Sequence, residues 1–264
     1  MFYVSARKSL ASNHAVGSEL QVFEAPEKKF GPDSRSIQRR TLAELCDATR
    51  RKKVLCLVHG YANPIDSVSK TYGLIHRKVC ELGGYDVVMG FTWPSVKFVL
   101  RWWKAKRNSE KVDQAFVTMC RQLEAKHLDV MTHSLGARVV LSGLDELARE
   151  QPTFRNVFLT APAVDNESLE KGEEFYGATA QCKRVFVLHS KKDEVLKGAY
   201  LASEGDRALG LHGPESFAAL RDNVHVVNCK KVVGSHGAYR SSPAVYAHLG
   251  RVLSGRKPPR WEQL

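Results

Sequence analysis

Three side chains in this 264-residue sequence have the types and order needed to make a nucleophile: Ser134, Asp193 and His236. A serine hydroxyl attacks poorly unless a neighbouring base takes its proton, and the base needs an acid to orient it. Ser134 sits in Asp129-Val130-Met131-Thr132-His133-Ser134-Leu135-Gly136-Ala137-Arg138. An apolar run leads in, glycine follows two residues later, and helical spacing begins after that. The pattern predicts a strand, a sharp turn and a helix, with the serine oxygen lifted clear at the tip of the turn. The chemistry such a group performs is acyl transfer. One position departs from the usual turn. Where glycine is common, two residues before the serine, this chain has Thr132, which is bulkier at the β-carbon, so crowding is expected there.

The elements that position these residues follow from hydrophobic pattern. Short β-like runs cover Phe2 to Ala6 and Leu20 to Glu24. Ser36 is placed as the cap of a helix running to about Thr49. Lys53 to Val58 is a continuous apolar run ended by His59-Gly60, as in a strand buried on both faces. A helix is expected from about Ile65 to Leu82, a strand over Asp86 to Trp93, and a helix over Asn108 to Lys126. Then come strand Leu128 to Thr132, helix Gly136 to Arg149, and strands Val157 to Thr160, Arg184 to His189 and Val224 to Cys229. A last helix runs from Ser242 to Leu253. Alternating strands and helices predict an α/β fold, a three-layer α/β/α sandwich around a mostly parallel sheet. Length and composition suit one domain over residues 1–264, with 1–52 supplying N-terminal strands and a helix.

Ligands in such sheets collect at the carboxyl ends of the strands. The loop after the last long strand holds Gly234-Ser235-His236-Gly237, so His236 is the expected base; His225, His248, His212 and His133 are worse placed. Asp193 follows the strand ending at His189 and is the expected acid, with Asp165 as the alternative. Serine, acid, histidine is the chain order that strand-turn-helix nucleophiles adopt. The oxyanion needs backbone N–H donors. Leu135, directly after the serine, supplies one, and Tyr61 or Ala62 in the turn after the early strand supplies the other. Trp93, Trp102 and His133 are the candidate substrate contacts.

With Val58-His59-Gly60-Tyr61, Phe91-Thr92-Trp93-Pro94-Ser95, His133-Ser134-Leu135-Gly136-Ala137-Arg138, Ala161-Pro162-Ala163-Val164-Asp165 and His236-Gly237-Ala238-Tyr239 in view, the chain resembles the α/β-hydrolase superfamily. Within it, the chain is most similar to a mainly bacterial family of α/β-hydrolase domains with no assigned function, over roughly residues 53 to 253. The resemblance implies a serine-hydrolase triad at Ser134, Asp193 and His236 and implies no substrate. The expected activity is a carboxylesterase- or lipase-like serine hydrolase acting on a small-molecule or lipid-like ester. A thioesterase or acyltransferase using the same triad, and a non-catalytic scaffold of the same fold, are the other readings. No metal or organic cofactor is needed.

Composition limits the remaining possibilities. The formal net charge is +12, yet the basic residues are spread along the whole chain and no nucleic-acid module is recognisable. No nucleic-acid partner is therefore expected. The N-terminus lacks a signal peptide's apolar region, no window approaches a membrane span, and the six cysteines have no metal-ligand spacing, which together predict a cytoplasmic protein with reduced thiols. One segment stands apart: Lys97-Phe98-Val99-Leu100-Arg101-Trp102-Trp103-Lys104-Ala105-Lys106-Arg107 is basic and aromatic. It reads as a cap helix whose aromatics wall the pocket, as a partly packed helix with a solvated face, or as a peripheral contact with an anionic membrane. Oligomeric state is not legible.

Overall fold

The computed structural model describes residues 1–96, 101–145 and 154–264. A ten-stranded sheet organises it, in the order β10-β9-β8-β7-β6-β4-β5-β1-β2-β3. The central strands are β4 (Lys53–Val58), β5 (Val87–Thr92), β6 (His127–His133), β7 (Phe154–Thr160), β8 (Cys182–His189) and β9 (Val224–Asn228). All of these pair in parallel. Strand β1 (Phe2–Arg7) joins β5 in parallel, and β2 (Val16–Glu24) and β3 (Gln38–Arg40) complete that edge antiparallel. The far edge is β10 (Trp261–Gln263), parallel to β9.

Residue alternation assigns the helices to two faces. Gly90 and Phe91 are neighbours on β5 and point opposite ways. A β-carbon at Gly90 would strike the ring of Tyr72 on α2 (Ile65–Cys80), whereas Phe91 meets Phe116 on α3 (Trp102–Gln122) edge-on at 5.0 Å. So α2 and α3 cover opposite faces. Register carries the α2 face across the sheet through Leu57, Met131, Phe158 and Phe186. Phe186 meets His248 of α8 (Pro243–Leu253), which places α8 beside α2. The other face holds α3 and α4 (Gly136–Asp145), which cross so closely that a β-carbon at Gly143 would lie 2.5 Å from Val117. The three-layer α/β/α sandwich expected from the sequence is the observed fold.

Two expected helix boundaries are corrected. Ser36 is not a cap: residues 38–40 form β3, and the helix is α1 (Leu42–Thr49), started by Thr41. Thr41 accepts the Glu44 N–H while the Glu44 carboxylate accepts the Thr41 N–H at 2.7 Å. That reciprocal box satisfies two orphan donors, which Ser36 could not do from within the preceding turn. Asn108 likewise begins nothing. It lies inside the continuous α3, its amide donating to Pro94 O at 2.6 Å. Of the basic aromatic segment, residues 97–100 lie outside the described residues, as do 146–149 of the helix expected over Gly136 to Arg149. No described helix is long and apolar enough to cross a membrane.

Candidate active site

Four of the six non-glycine residues with positive φ among the described residues lie at one end of the sheet, with Arg51 and Glu124 at the other. Among the described residues, Ala62, Val96, Ser134 and Ala161 have φ of 56°, 62°, 54° and 47°, all beyond the carboxyl ends of β4 to β7. Left-handed backbone in residues with a β-carbon costs roughly 1–3 kcal/mol each and persists where surrounding structure forces it. At Ser134 it is forced from several sides. The Ser134 N–H donates to Thr160 O at 3.0 Å, and Ser134 O accepts from Ala137 at 3.0 Å and Ala163 at 3.2 Å. A β-carbon at Gly60 would lie 2.7 Å from that of Ser134, and one at Gly136 2.6 Å from the carbonyls of Val58 and His59. Both glycines are required because the turn after β4 presses directly on the turn after β6. Thr132 is accommodated: its side chain is buried, and its carbonyl accepts Thr160 Oγ1 at 2.5 Å. Among the described residues its buried hydroxyl has no hydrogen-bond partner.

The loops after β8 and β9 bring Asp193 and His236 together. The Asp193 carboxylate is fully buried; Oδ2 accepts His236 Nδ1–H at 2.7 Å and Oδ1 accepts the Leu196 N–H at 3.1 Å. The two loops are tied by Ser190 Oγ, which donates to Val233 O at 2.8 Å. With Nδ1 protonated, Nε2 of His236 is left as the basic atom. The alternative acid, Asp165, is occupied elsewhere and is set aside. It accepts the Tyr200 hydroxyl at 2.6 Å.

The candidate substrate contacts divide. Trp93 is fully buried, stacked on His59 at 5.5 Å with its indole N–H donating to His59 O at 2.8 Å, so it supports the turn after β4 and presents no surface to a ligand. His133 is placed beside the base. Its Nε2–H donates to the His236 carbonyl at 2.9 Å and the two rings lie 4.6 Å apart, so it holds the backbone of the loop carrying the base. Trp102 does reach the turn after β4, meeting Tyr61 edge-on at 5.4 Å and Tyr200 at 5.7 Å, while the next residue, Trp103, is 61% exposed. Of the two candidates for the second oxyanion donor, Ala62 is eliminated because its N–H donates to Ser95 O at 3.1 Å. Tyr61 is held in place by Asn63, whose amide donates to the carbonyls of Gly60 at 3.2 Å and Tyr61 at 2.6 Å. Leu135 is buried at the start of α4, and among the described residues its N–H has no acceptor.

One residue of the site escaped sequence reasoning. Arg7, at the end of β1, is fully buried beneath the turn after β4. Its guanidinium donates to Thr92 Oγ1 at 2.8 Å, Asn13 Oδ1 at 2.8 Å, Ser12 O at 3.0 Å and Asn63 O at 2.8 Å, and lies 3.4 Å from His59 Nε2. Every one of these partners is neutral. Burial accordingly lowers its pKa to about 10. His59 reads out its own tautomer: Nε2 accepts the Trp93 N–H at 3.1 Å, so Nδ1 carries the proton and donates to Gly60 O at 2.8 Å. Replacing Arg7 by methionine leaves Asn63 O and Thr92 without their donor, at a cost of about 3 kcal/mol. A thermal melt should show Tm lower by roughly 6–12 °C.

The site also sets a pH limit. Burial holds His59 well below its ordinary range, with Arg7 adding to the effect. Burial, then the nearby His236, lowers His133 to about 3, and burial lowers His189 to about 4. In the unfolded chain all three take up protons near pH 6.5. Their folded pKa values are depressed, so the stability they confer is present above pH 6.5 and is lost as pH falls toward 3–4. Together the three should remove on the order of 6 kcal/mol by pH 5. Circular dichroism melts should show a steep drop in Tm between pH 7.5 and 5.

The chain is similar to several solved structures. Lipase B of Aspergillus fumigatus superposes with a TM-score of 0.52 at 15% identity, over 93% of this chain and 64% of that one, which shows the fold alone. The product of the gene lin2722 of Listeria innocua matches with a TM-score of 0.47 at 12% identity, over 81% and 98% of the two chains. An esterase of Pyrobaculum calidifontis matches with a TM-score of 0.42 at 14% identity, over 78% and 76%. Among curated proteins none matches the sequence. Residues 34–256 match the profile of a family described as "Alpha/beta hydrolase of unknown function" (DUF900). With more than half of its length matched, and with the sheet and elbow described above, the chain belongs to that alpha/beta hydrolase family of unknown function.

Proposed function

We propose that the protein is a serine hydrolase that cleaves an ester-type acyl bond through an acyl-enzyme on Ser134. The observation that carries this is the buried Asp193 held 2.7 Å from His236 Nδ1, in the loop that His133, the neighbour of Ser134, holds from below. In the first step, His236 Nε2 takes the Ser134 proton as Oγ attacks the ester carbon. The negative charge that develops on the carbonyl oxygen is met by the N–H groups of Leu135 and Tyr61. Collapse expels the alcohol, which receives the proton from His236. Water, deprotonated by the same imidazole, then attacks the acyl-enzyme and releases the acid. Asp193 holds the imidazole in place and stabilises the imidazolium. Trp102 and Tyr61 form one wall of the substrate site, and the N-terminal hairpin with Arg7 fixes the turn that carries Tyr61. The four buried cysteines, free like the other two, fit residence in a reducing compartment such as the cytoplasm.

A series of p-nitrophenyl esters of increasing acyl length tests the reading. Turnover that passes through an optimum along the series is expected, and Trp102→Ala should move that optimum to longer chains. A folded protein that turns over no member of the series would count against an ester substrate.

A further inference from the structure

A cavity lies on the α2 face of the sheet, under the loop that carries His236 and beside Gly60, Asn63 and His133 of the site described above. It measures about 70 Å³, several times the ~10–15 Å³ that one water needs. Its walls are Leu57 and Met131 from the sheet and Val68, Tyr72 and Ile75 from α2. Most polar groups that line it are already committed: the Tyr72 hydroxyl donates to Phe91 O at 2.7 Å, His133 Nε2–H donates to His236 O, and the Asn63 amide donates to the carbonyls of Gly60 and Tyr61, while the Thr132 hydroxyl has no partner among the described residues. Bulk-like water would therefore find few partners there. At the mouth stand Thr71, half-buried, and Arg240, exposed. The Arg240 guanidinium lies over Gly237, 3.4 Å from where a β-carbon would be, which is ordinary van der Waals contact. Among the described residues, its one side-chain hydrogen bond is a 3.5 Å contact to Thr71 Oγ1, and it pairs with no carboxylate.

We propose that this cavity binds a short-chain aliphatic carboxylate, with the alkyl chain between α2 and the sheet and the carboxylate on Arg240. An apolar well with a single planar, five-donor cation at its rim complements that shape and charge, since arginine receives a carboxylate through two parallel hydrogen bonds. A neutral ligand of the same length gains the walls and forgoes the head group. The site adjoins the loop of the base, so an occupant would bear on His133 and His236 from behind. The inference does not rest on Ser134 being a nucleophile.

Calorimetric titration of the full-length protein with butyrate, with butyramide as the neutral control, tests it. Saturable butyrate binding is expected, at least tenfold tighter than butyramide. Arg240→Gln, an exposed change that leaves the core untouched, should weaken butyrate at least tenfold, and Thr71→Phe should close the mouth and abolish binding of both. No butyrate binding to the wild type, or an affinity unchanged in both variants, would overturn the proposal. Neither titration involves Ser134, so its result stays separate from that of an active-site labelling experiment.

Discussion

Ser134→Ala should lower ester turnover by about 10⁶-fold and leave the fold intact. The loss is expected to be of that size because the hydroxyl is the attacking group, and what remains is binding plus the oxyanion donors. The fold should survive because every hydrogen bond that fixes the elbow at Ser134 uses its backbone: N–H to Thr160, and O from Ala137 and Ala163. Alanine also adopts this backbone elsewhere at the same end of the sheet, with φ of 56° at Ala62 and 47° at Ala161. Steady-state kinetics on a p-nitrophenyl ester and a thermal melt check the two halves together. A large drop in both activity and Tm would mean that Ser134 is a structural residue mistaken for a nucleophile.

Asp193→Asn should lower kcat by about 10⁴-fold at neutral pH with KM nearly unchanged. The direction follows from the second oxygen of the carboxylate. Asp193 Oδ1 accepts the Leu196 N–H, so an asparagine would keep its carbonyl oxygen on that side. Its NH₂ group would then face His236 Nδ1. An imidazole opposite a donor must carry its proton on Nε2, where it has no lone pair to receive the Ser134 proton. KM should hold because Asp193 is fully buried and has no surface to offer a substrate. A kcat within tenfold of the wild type would show that Asp193 does not orient the base.

What the sequence shows and hides has physical causes. Strand β4 was legible because burial on both faces demands an unbroken apolar run, here Val54 to Val58. That Asp193 and His236 would meet was legible because a parallel sheet delivers strand ends to one edge, so position after a strand is itself information. Trp93 was misread because an aromatic residue at a strand end looks alike whether it faces a ligand or props up a neighbouring turn; its partner, His59, is 34 residues away. Arg7 was hidden for the same reason, since its contacts with Thr92 and Asn63 span 85 and 56 residues. The only trace in the sequence is a charge closing an apolar strand. Thr41 outcompeted Ser36 as the helix start through Glu44, a local signal that was present and outweighed by the more familiar serine. Strand β10 is three residues long and partly exposed, so it carries no period from which to infer it.

The central claim is that Ser134 is an activated nucleophile, and a fluorophosphonate probe followed by intact-mass and peptide mapping tests it most directly. A serine made reactive by a neighbouring base forms a covalent phosphonate, and an ordinary serine does not. The account predicts one adduct on the folded wild type, located at Ser134, and none on Ser134→Ala. A folded wild type that fails to label, or a Ser134→Ala protein that labels equally well, would contradict it.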